Sequence, residues 1–412
     1  MNYALSKLMK QIRGVSYSKS DASLKHLEGL VPILRAGNIQ NSRITYNDFV
    51  YIPKEGIKNV QLLKQGDILI AASSGSKSIV GKAAMILQDM NAGFGAFCKV
   101  LRPNKEIVNE NYFKFYFETP HYKNTISQLA EGANINNLKT EHFDNLEIYL
   151  PPLPQQQKIA NILDAADALR QNNKALVAKY DELTQALFLN MFGDPVSNPK
   201  GWNVKKLKEI STKIHSGNTP KGGSEVYVEE GITFFRSQNV WKNRLVYEDI
   251  AFIDQPTHDK MMKSSLNHRD ILMTKTGRIN TENSSLGRAA MYLGEDDKAN
   301  VNGHVYLIRL KKGIINEFVL HILTTKEYRG HIRSVCVGGI DKRQLNKDHI
   351  ENFPIINPPI ELQNQFAERV ALIEEQKTIA QKGLEKSETL FNSLLQKAFL
   401  PAGRQGKGEL FK

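Results

Sequence analysis

Residues 151–195 read PPLPQQQKIANILDAADALRQNNKALVAKYDELTQALFLNMFGDP, and this stretch constrains the rest of the chain. Pro151, Pro152 and Pro154 stand at its start, Gly193 and Pro195 at its end. Proline is tolerated in a first helical turn, and glycine favours a helix end. Nothing between them breaks a helix. Ile159, Ile162, Ala166, Leu169, Asn173, Leu176, Tyr180, Leu183 and Leu187 follow one another at spacings of three and four. That is a heptad seam. A helix from Gln155 to Asn190 would be about 54 Å long. A single such helix cannot bury its stripe, so it needs a partner.

The same chain supplies one. From Pro358 to Phe399 the pattern returns, offset by 207. Gln156 and Ala160 recur as Gln363 and Ala367; Leu183, Leu187 and Phe192 recur as Leu390, Leu394 and Phe399. The second seam runs Phe366, Val370, Ile373, Ala380, Leu384, Phe391 and Leu394, interrupted by Gly383. Glycine in a helix interior costs roughly 1 kcal/mol relative to alanine. The simpler alternative is two amphipathic helices in separate cores. On the seam reading Leu183 is buried, and Leu183→Asp would strand a charge in an interface at a cost of several kcal/mol, about 3–5.

The segments between the helices repeat as well. VPILRAGNIQNSRITYNDFVYI from Val31 aligns without gaps to ITFFRSQNVWKNRLVYEDIAFI from Ile232. Arg35, Asn38, Arg43 and Asp48 recur as Arg236, Asn239, Arg244 and Asp249. Gly81 to Met85 recurs as Gly287 to Met291, and Leu138 and His142 as Leu345 and His349. A long internal repeat gives the plan domain, helix, domain, helix. The boundaries expected are 1–150, 151–195, 196–357, 358–400 and a flexible tail over 401–412. Each domain is a mixed α+β unit of short strands: 33–35, 48–52, 67–72, 83–87 and 97–101 in the first, followed by helical 112–117 and 122–129. The order is no regular β-α-β alternation.

Composition narrows the function. A net charge of +12 favours a polyanion such as nucleic acid. No apolar run approaches a membrane span of about 20 residues. Cys98 and Cys336 stand in different halves, a pattern of reduced thiols rather than a disulfide framework. Gly75 to Lys82 resembles a phosphate loop but has one residue too many, and Ala83 stands where Ser or Thr would hold magnesium. Asn357-Pro358-Pro359-Ile360 has no aromatic residue to stack on an extruded base. The ten histidines form no metal-binding spacing. No catalyst is legible, and no metal site.

What remains is basic and amide-rich loops. Lys77, Lys82 and Lys139 with Asn134, Asn136 and Asn137 form one set; Lys275, Arg278, Arg288, Lys342 and Arg343 form the other. Lys and Arg neutralise phosphates, while Arg reads guanine and Asn or Gln reads adenine. Between the repeated anchors the halves differ: Ser73 to Ser78 faces Thr276 to Ser285. Similar scaffolds with unlike loops suggest two sites reading different things; neutral drift of surface loops gives the same pattern.

The segments PPLPQQQKIANILDAADAL and FLNMFGDPVSNPKGW, the N-P-P-I helix start and the anchors Arg35/Asn38 and Arg236/Asn239 together resemble the specificity (S) subunit of type I restriction–modification systems. The resemblance covers nearly the whole chain. It implies two target-recognition domains related by a pseudo-two-fold axis and separated by two antiparallel coiled-coil spacer helices. It implies a non-catalytic, cytoplasmic reader of double-stranded DNA, each domain binding one half of a split target. Arg35, Asn38, Arg236 and Asn239 join the loop residues as expected DNA contacts. Ile159, Ile162, Leu169, Leu176, Leu183, Leu187, Phe366, Ile373, Leu384, Leu390 and Leu394 are the expected spacer and subunit interface. The expected partners are two methylation (M) subunits and restriction (R) subunits, which would carry S-adenosylmethionine, ATP and magnesium; this chain would carry no cofactor. A stand-alone adenine methyltransferase and a helical scaffold that binds no DNA are the competing readings.

Overall fold

The computed structural model describes residues 1–130, 136–279, 281, 283–339 and 341–400. Asn134 and the tail from Pro401 therefore lie outside the described residues. Two compact units divide the chain: Met1–Ala175 with the residues from Gln381 onward, and Leu176–Ala380. Each unit holds one of the two repeated domains and one part of each long helix.

The first unit is built on a four-stranded antiparallel sheet in the order Met9–Arg13, Cys98–Pro103, Ile68–Ala71, Ala83–Met85. A second sheet sets Leu30–Leu34 between Gly93–Phe94, which is parallel to it, and Val50–Pro53. Asn109 and Thr119 cap helices Glu110–Tyr116 and Pro120–Leu129 by accepting hydrogen bonds from Tyr112 N and Tyr122 N. The second unit repeats the sheet as Ser211–Ser216, Val305–Leu310, Ile271–Thr274, Ala289–Met291. Its helices Asn316–Thr324 and Lys326–Val335 follow, the latter capped by Thr325 as its sibling is by Thr119. The short strands and helices expected from sequence fall at these places. In each unit a buried aspartate grips the central strand. Asp67 takes Arg102 Nε and Nη2 at 2.7 and 2.8 Å, and Asp270 takes Arg309 at 2.9 and 2.7 Å. Sequence reading missed both pairs.

The long helices run Leu153–Phe192 and Ile360–Ala398. Their proline starts are fastened identically. The buried Gln156 amide donates to the Pro151 carbonyl at 2.8 Å, and Gln363 donates to Pro358 at 2.8 Å. The motif after Phe192 is a helix C-cap. Gly193 takes φ +79°, Lys200 Nζ donates to the carbonyls of Asn190 and Met191 at 2.9 Å each, and Trp202 Nε1 donates to Phe192 at 2.9 Å.

Within each unit the helix segments pack antiparallel. In the first, Ile159, Ala160, Leu163 and Ala166 share a core with Phe391, Leu394, Leu395 and Ala398. Arg170 lies 3.8 Å over the Phe391 ring, and Asn173 meets Gly383 and Ser387. In the second, Phe188 and Phe192 meet Phe366 at ring separations of 5.5 and 5.4 Å, and Asp181 pairs with Lys377 at 2.6 Å.

This corrects the phase of the first seam. Ile159 is buried and Ile162 and Leu187 are half-buried, but Leu169, Leu176, Leu183 and Leu390 are 41–49% exposed. The inward positions are one residue later: Leu163, Arg170, Val177 and Thr184. Leu183→Asp would not bury a charge. On the second helix Phe366 and Leu394 are buried and Ile373 and Leu384 half-buried, as expected of a seam.

In the first unit the domain is tied to its helix by ions. Arg43 reaches Asp167 at 2.7 Å, and Arg170 bridges Asp167 at 2.5 Å and Glu118 at 3.4 Å. Burial works to raise the Asp167 pKa, but hydrogen bonds from Arg170 and Gln171 and the charges of Arg170 and Arg43 hold it below the ordinary value. At Glu118 burial prevails over Arg170 and raises the pKa.

Candidate nucleic-acid interface

The recurring Arg-x-x-Asn anchors are structural. Asn38 is buried; its Oδ1 accepts from Arg35 N at 2.9 Å, and its Nδ2 donates to the carbonyls of Thr45 and Asn47 at 3.1 and 2.7 Å. Asn239 is buried in the same way, accepting from Arg236 N at 3.0 Å and donating to Val246 and Glu248 at 3.1 and 3.5 Å. Each asparagine closes the base of a tight hairpin, residues 39–44 and 240–245. Arg35 and Arg236 donate to the carbonyls of Asp48 and Asp249, whose φ angles of +53° and +57° turn the chain back. The expectation that Asn38 and Asn239 contact DNA is therefore corrected. Their hydrogen-bonding capacity is used inside the fold.

The loops beside these hairpins differ. In the first unit Ser73–Ser74 pairs with Asn136–Asn137; of Asn136 only this backbone pairing is described. Lys77, Lys82 and Lys139 are exposed, and Lys139 approaches Glu141 at 3.5 Å. Lys77 and Lys82 line a cavity of about 370 Å³ together with Gln40 and Lys123. Lys123, on the helix that follows, was missed. The repeat carries its signal, since Tyr122-Lys123 recurs as Tyr328-Arg329.

In the second unit Arg343–Gln344 lies between Thr276–Gly277 and Val337–Gly338. A cleft of about 340 Å³ is lined by Arg278, Thr281, Asn283, Arg288, Asp341 and Lys342 among others. Arg278 and Lys342 are exposed at it. Lys275 lies behind, half-buried, its ammonium 5.8 Å from the Tyr306 ring centre. Two of the expected contacts turn inward instead. Arg343 Nη1 donates to the Cys336 carbonyl at 3.1 Å. The Arg288 guanidinium lies 3.8 Å over Trp241 and donates to the carbonyls of Asn283 and Ser284. Both brace the loop, and Arg288 also lines the cleft. Trp241, which sequence reading passed over, is central to this arrangement.

Each unit thus presents a cationic recess on a shared scaffold, with different side chains at the rim. Such a recess can hold a phosphate backbone and offer donors to base edges. The family described as type I restriction modification DNA specificity domain matches residues 4–179 and 199–387. The chain belongs to this family. It is similar to the type I restriction enzyme StySPI specificity subunit of Salmonella potsdam, 30% identical over 97% of this chain and 86% of that one. The EcoKI specificity subunit of Escherichia coli K12 is 29% identical over 94% of this chain and 86% of its own. Among solved structures, the type I restriction-modification S subunit from M. genitalium shares the fold at a TM-score of 0.56 and 17% identity, covering 97% of this chain and 96% of that one. The chain is a DNA-specificity subunit, and its two specificity domains are consistent with a bipartite target. No described helix is long and apolar enough to cross a membrane.

Proposed function

We propose that this chain is the non-catalytic, cytoplasmic reader of a type I complex, each recess contacting one half of the DNA target. The observation that carries this reading is one scaffold built twice with unlike basic loops: Lys77, Lys82 and Lys123 around one cavity, Arg278 and Lys342 at the other. Two methylation subunits would dock on the spacer. Leu169 and Leu390 in the first unit, and Leu176, Leu183, Leu372 and Ile379 in the second, leave apolar surface uncovered. Restriction subunits would join that core. S-adenosylmethionine, ATP and magnesium would be held by the partners, and adenine would be the base modified.

Selection of DNA from a random duplex pool by this chain, co-purified with its methylation subunit, tests the reading. Two specified blocks separated by an unread gap are expected. A pool without sequence enrichment, or micromolar binding of S-adenosylmethionine by the isolated chain, would overturn it.

A further inference from the structure

The second unit's loop is held in a way the first unit's is not. Trp241 sits on the hairpin at 240–245 and donates from Nε1 to the Gln238 carbonyl at 2.9 Å. At the equivalent position in the first unit, Gln40 donates to Gly37 at 2.9 Å, so the two hairpins share this bond. Above the hairpin they part. Trp241 presents a ring face, and the Arg288 guanidinium carbon lies over it, 3.8 Å from the ring centre. That guanidinium donates to two successive carbonyls of the loop, through Nε to Ser284 at 3.1 Å and through Nη2 to Asn283. The Arg288 backbone is pinned by Thr274 Oγ1 at 2.8 Å, and the hairpin by Asn243 N donating to the Ala289 carbonyl at 2.8 Å. Arg329 Nη2 adds a further bond to Ser284 at 3.5 Å.

The matching position in the first unit is Lys82, which is exposed; its backbone N donates to the Ile79 carbonyl at 3.1 Å, and its side chain makes no hydrogen bond among the described residues. A lysine has neither the planar face that stacks on an indole nor the fork that grips two carbonyls. Gln40 offers no ring to receive it.

We infer that the Trp241–Arg288 stack is a positioning element that fixes the loop bearing Arg278 before DNA arrives, and that it makes the second unit the more stringent reader of the two. A donor held in place loses little freedom on binding its cognate base and cannot swing to accommodate another. This rests on the DNA-reading function proposed above.

The test uses the complete methylation complex. Methylation is measured on duplexes carrying every single-base change in each half-site, after exchange of one domain has assigned each half-site to its unit. Trp241→Gln and, independently, Arg288→Lys should lower discrimination about tenfold at the second unit's half-site, roughly the discrimination one base pair supplies. Discrimination at the first unit's half-site should change less than about twofold on the same scale. Trp241→Phe, which keeps a ring face, should restore most of it. Arg288→Lys alters no buried core residue, so its result stands even if Trp241→Gln unfolds. Unchanged discrimination in Arg288→Lys, or an equal loss at both half-sites, would overturn the inference. Absence of discrimination in the wild-type complex would instead overturn the reading function itself.

Discussion

The Asn173 side-chain amide of the first long helix donates to the Gly383 carbonyl and the Ser387 hydroxyl of the second, at 3.2 Å each. A polar residue at a seam position sets register at some cost in stability. The glycine that interrupts the second helix is thus part of a specific contact. A methyl group there would meet the Asn173 side chain at 3.9 Å, an ordinary contact distance. Gly383→Ala should therefore raise stability by up to about 1 kcal/mol, while Asn173→Ala should lower it by about 1–2 kcal/mol by stranding its partners. Urea unfolding of the two variants checks both signs.

Leu183 and Phe366 separate the outside of the spacer from its inside. Leu183 is exposed, so Leu183→Asp should change the stability of the chain by less than about 0.5 kcal/mol. Phe366 is fully buried against Phe188 and Phe192, and Phe366→Ala should cost about 3–5 kcal/mol. In a pull-down with the methylation subunit, Leu183→Asp should lose the partner while keeping its fold. Normal capture by that variant would remove Leu183 from the docking surface.

The Asp270–Arg309 pair predicts a different kind of loss. Asp270 is buried and also accepts from Asn267 N at 2.8 Å. Asp270→Asn leaves the guanidinium without its counter-charge, and the cost of breaking such a pair is about 3–5 kcal/mol. Thermal melting should show the second unit destabilised.

Acid should act on the second unit through His215, His321 and His331. Burial lowers the pKa of all three, and at His321 it does so against the Glu317 carbonyl and charge. A depressed folded-state pKa means that the unfolded chain takes up protons first. The stability these groups retain above their ordinary value of 6.5 is lost as pH falls from there toward the folded values. Melting temperature should fall between pH 7 and pH 5, and His321→Gln should flatten that slope.

Much of the fold was legible because the chain states it twice. The proline starts, the caps at Thr119 and Thr325 and the two hairpins all recur at nearly constant offsets, and all are structural. Recurrence misled where it was taken for reading. Asn38 and Asn239 recur because both domains need the same hairpin base, whereas the positions beside the unlike loops differ, as Gln40 and Trp241 do. The helix phase misled for another reason. Ile159, Ala166, Asn173 and Tyr180 fit two adjacent heptad stripes, and sequence favours the one richer in leucine. The stripe that faces inward carries Arg170 and Thr184, side chains satisfied by Glu118 and the Tyr180 carbonyl, which no periodicity reveals.

The central claim, that each unit reads its own half of the target, is tested most directly by exchanging residues 204–350 for the corresponding domain of a relative and sequencing the methylated DNA of the host. The account predicts that one half of the recognition sequence changes and the other stays as it was. A change in both halves together, or in neither, would contradict it.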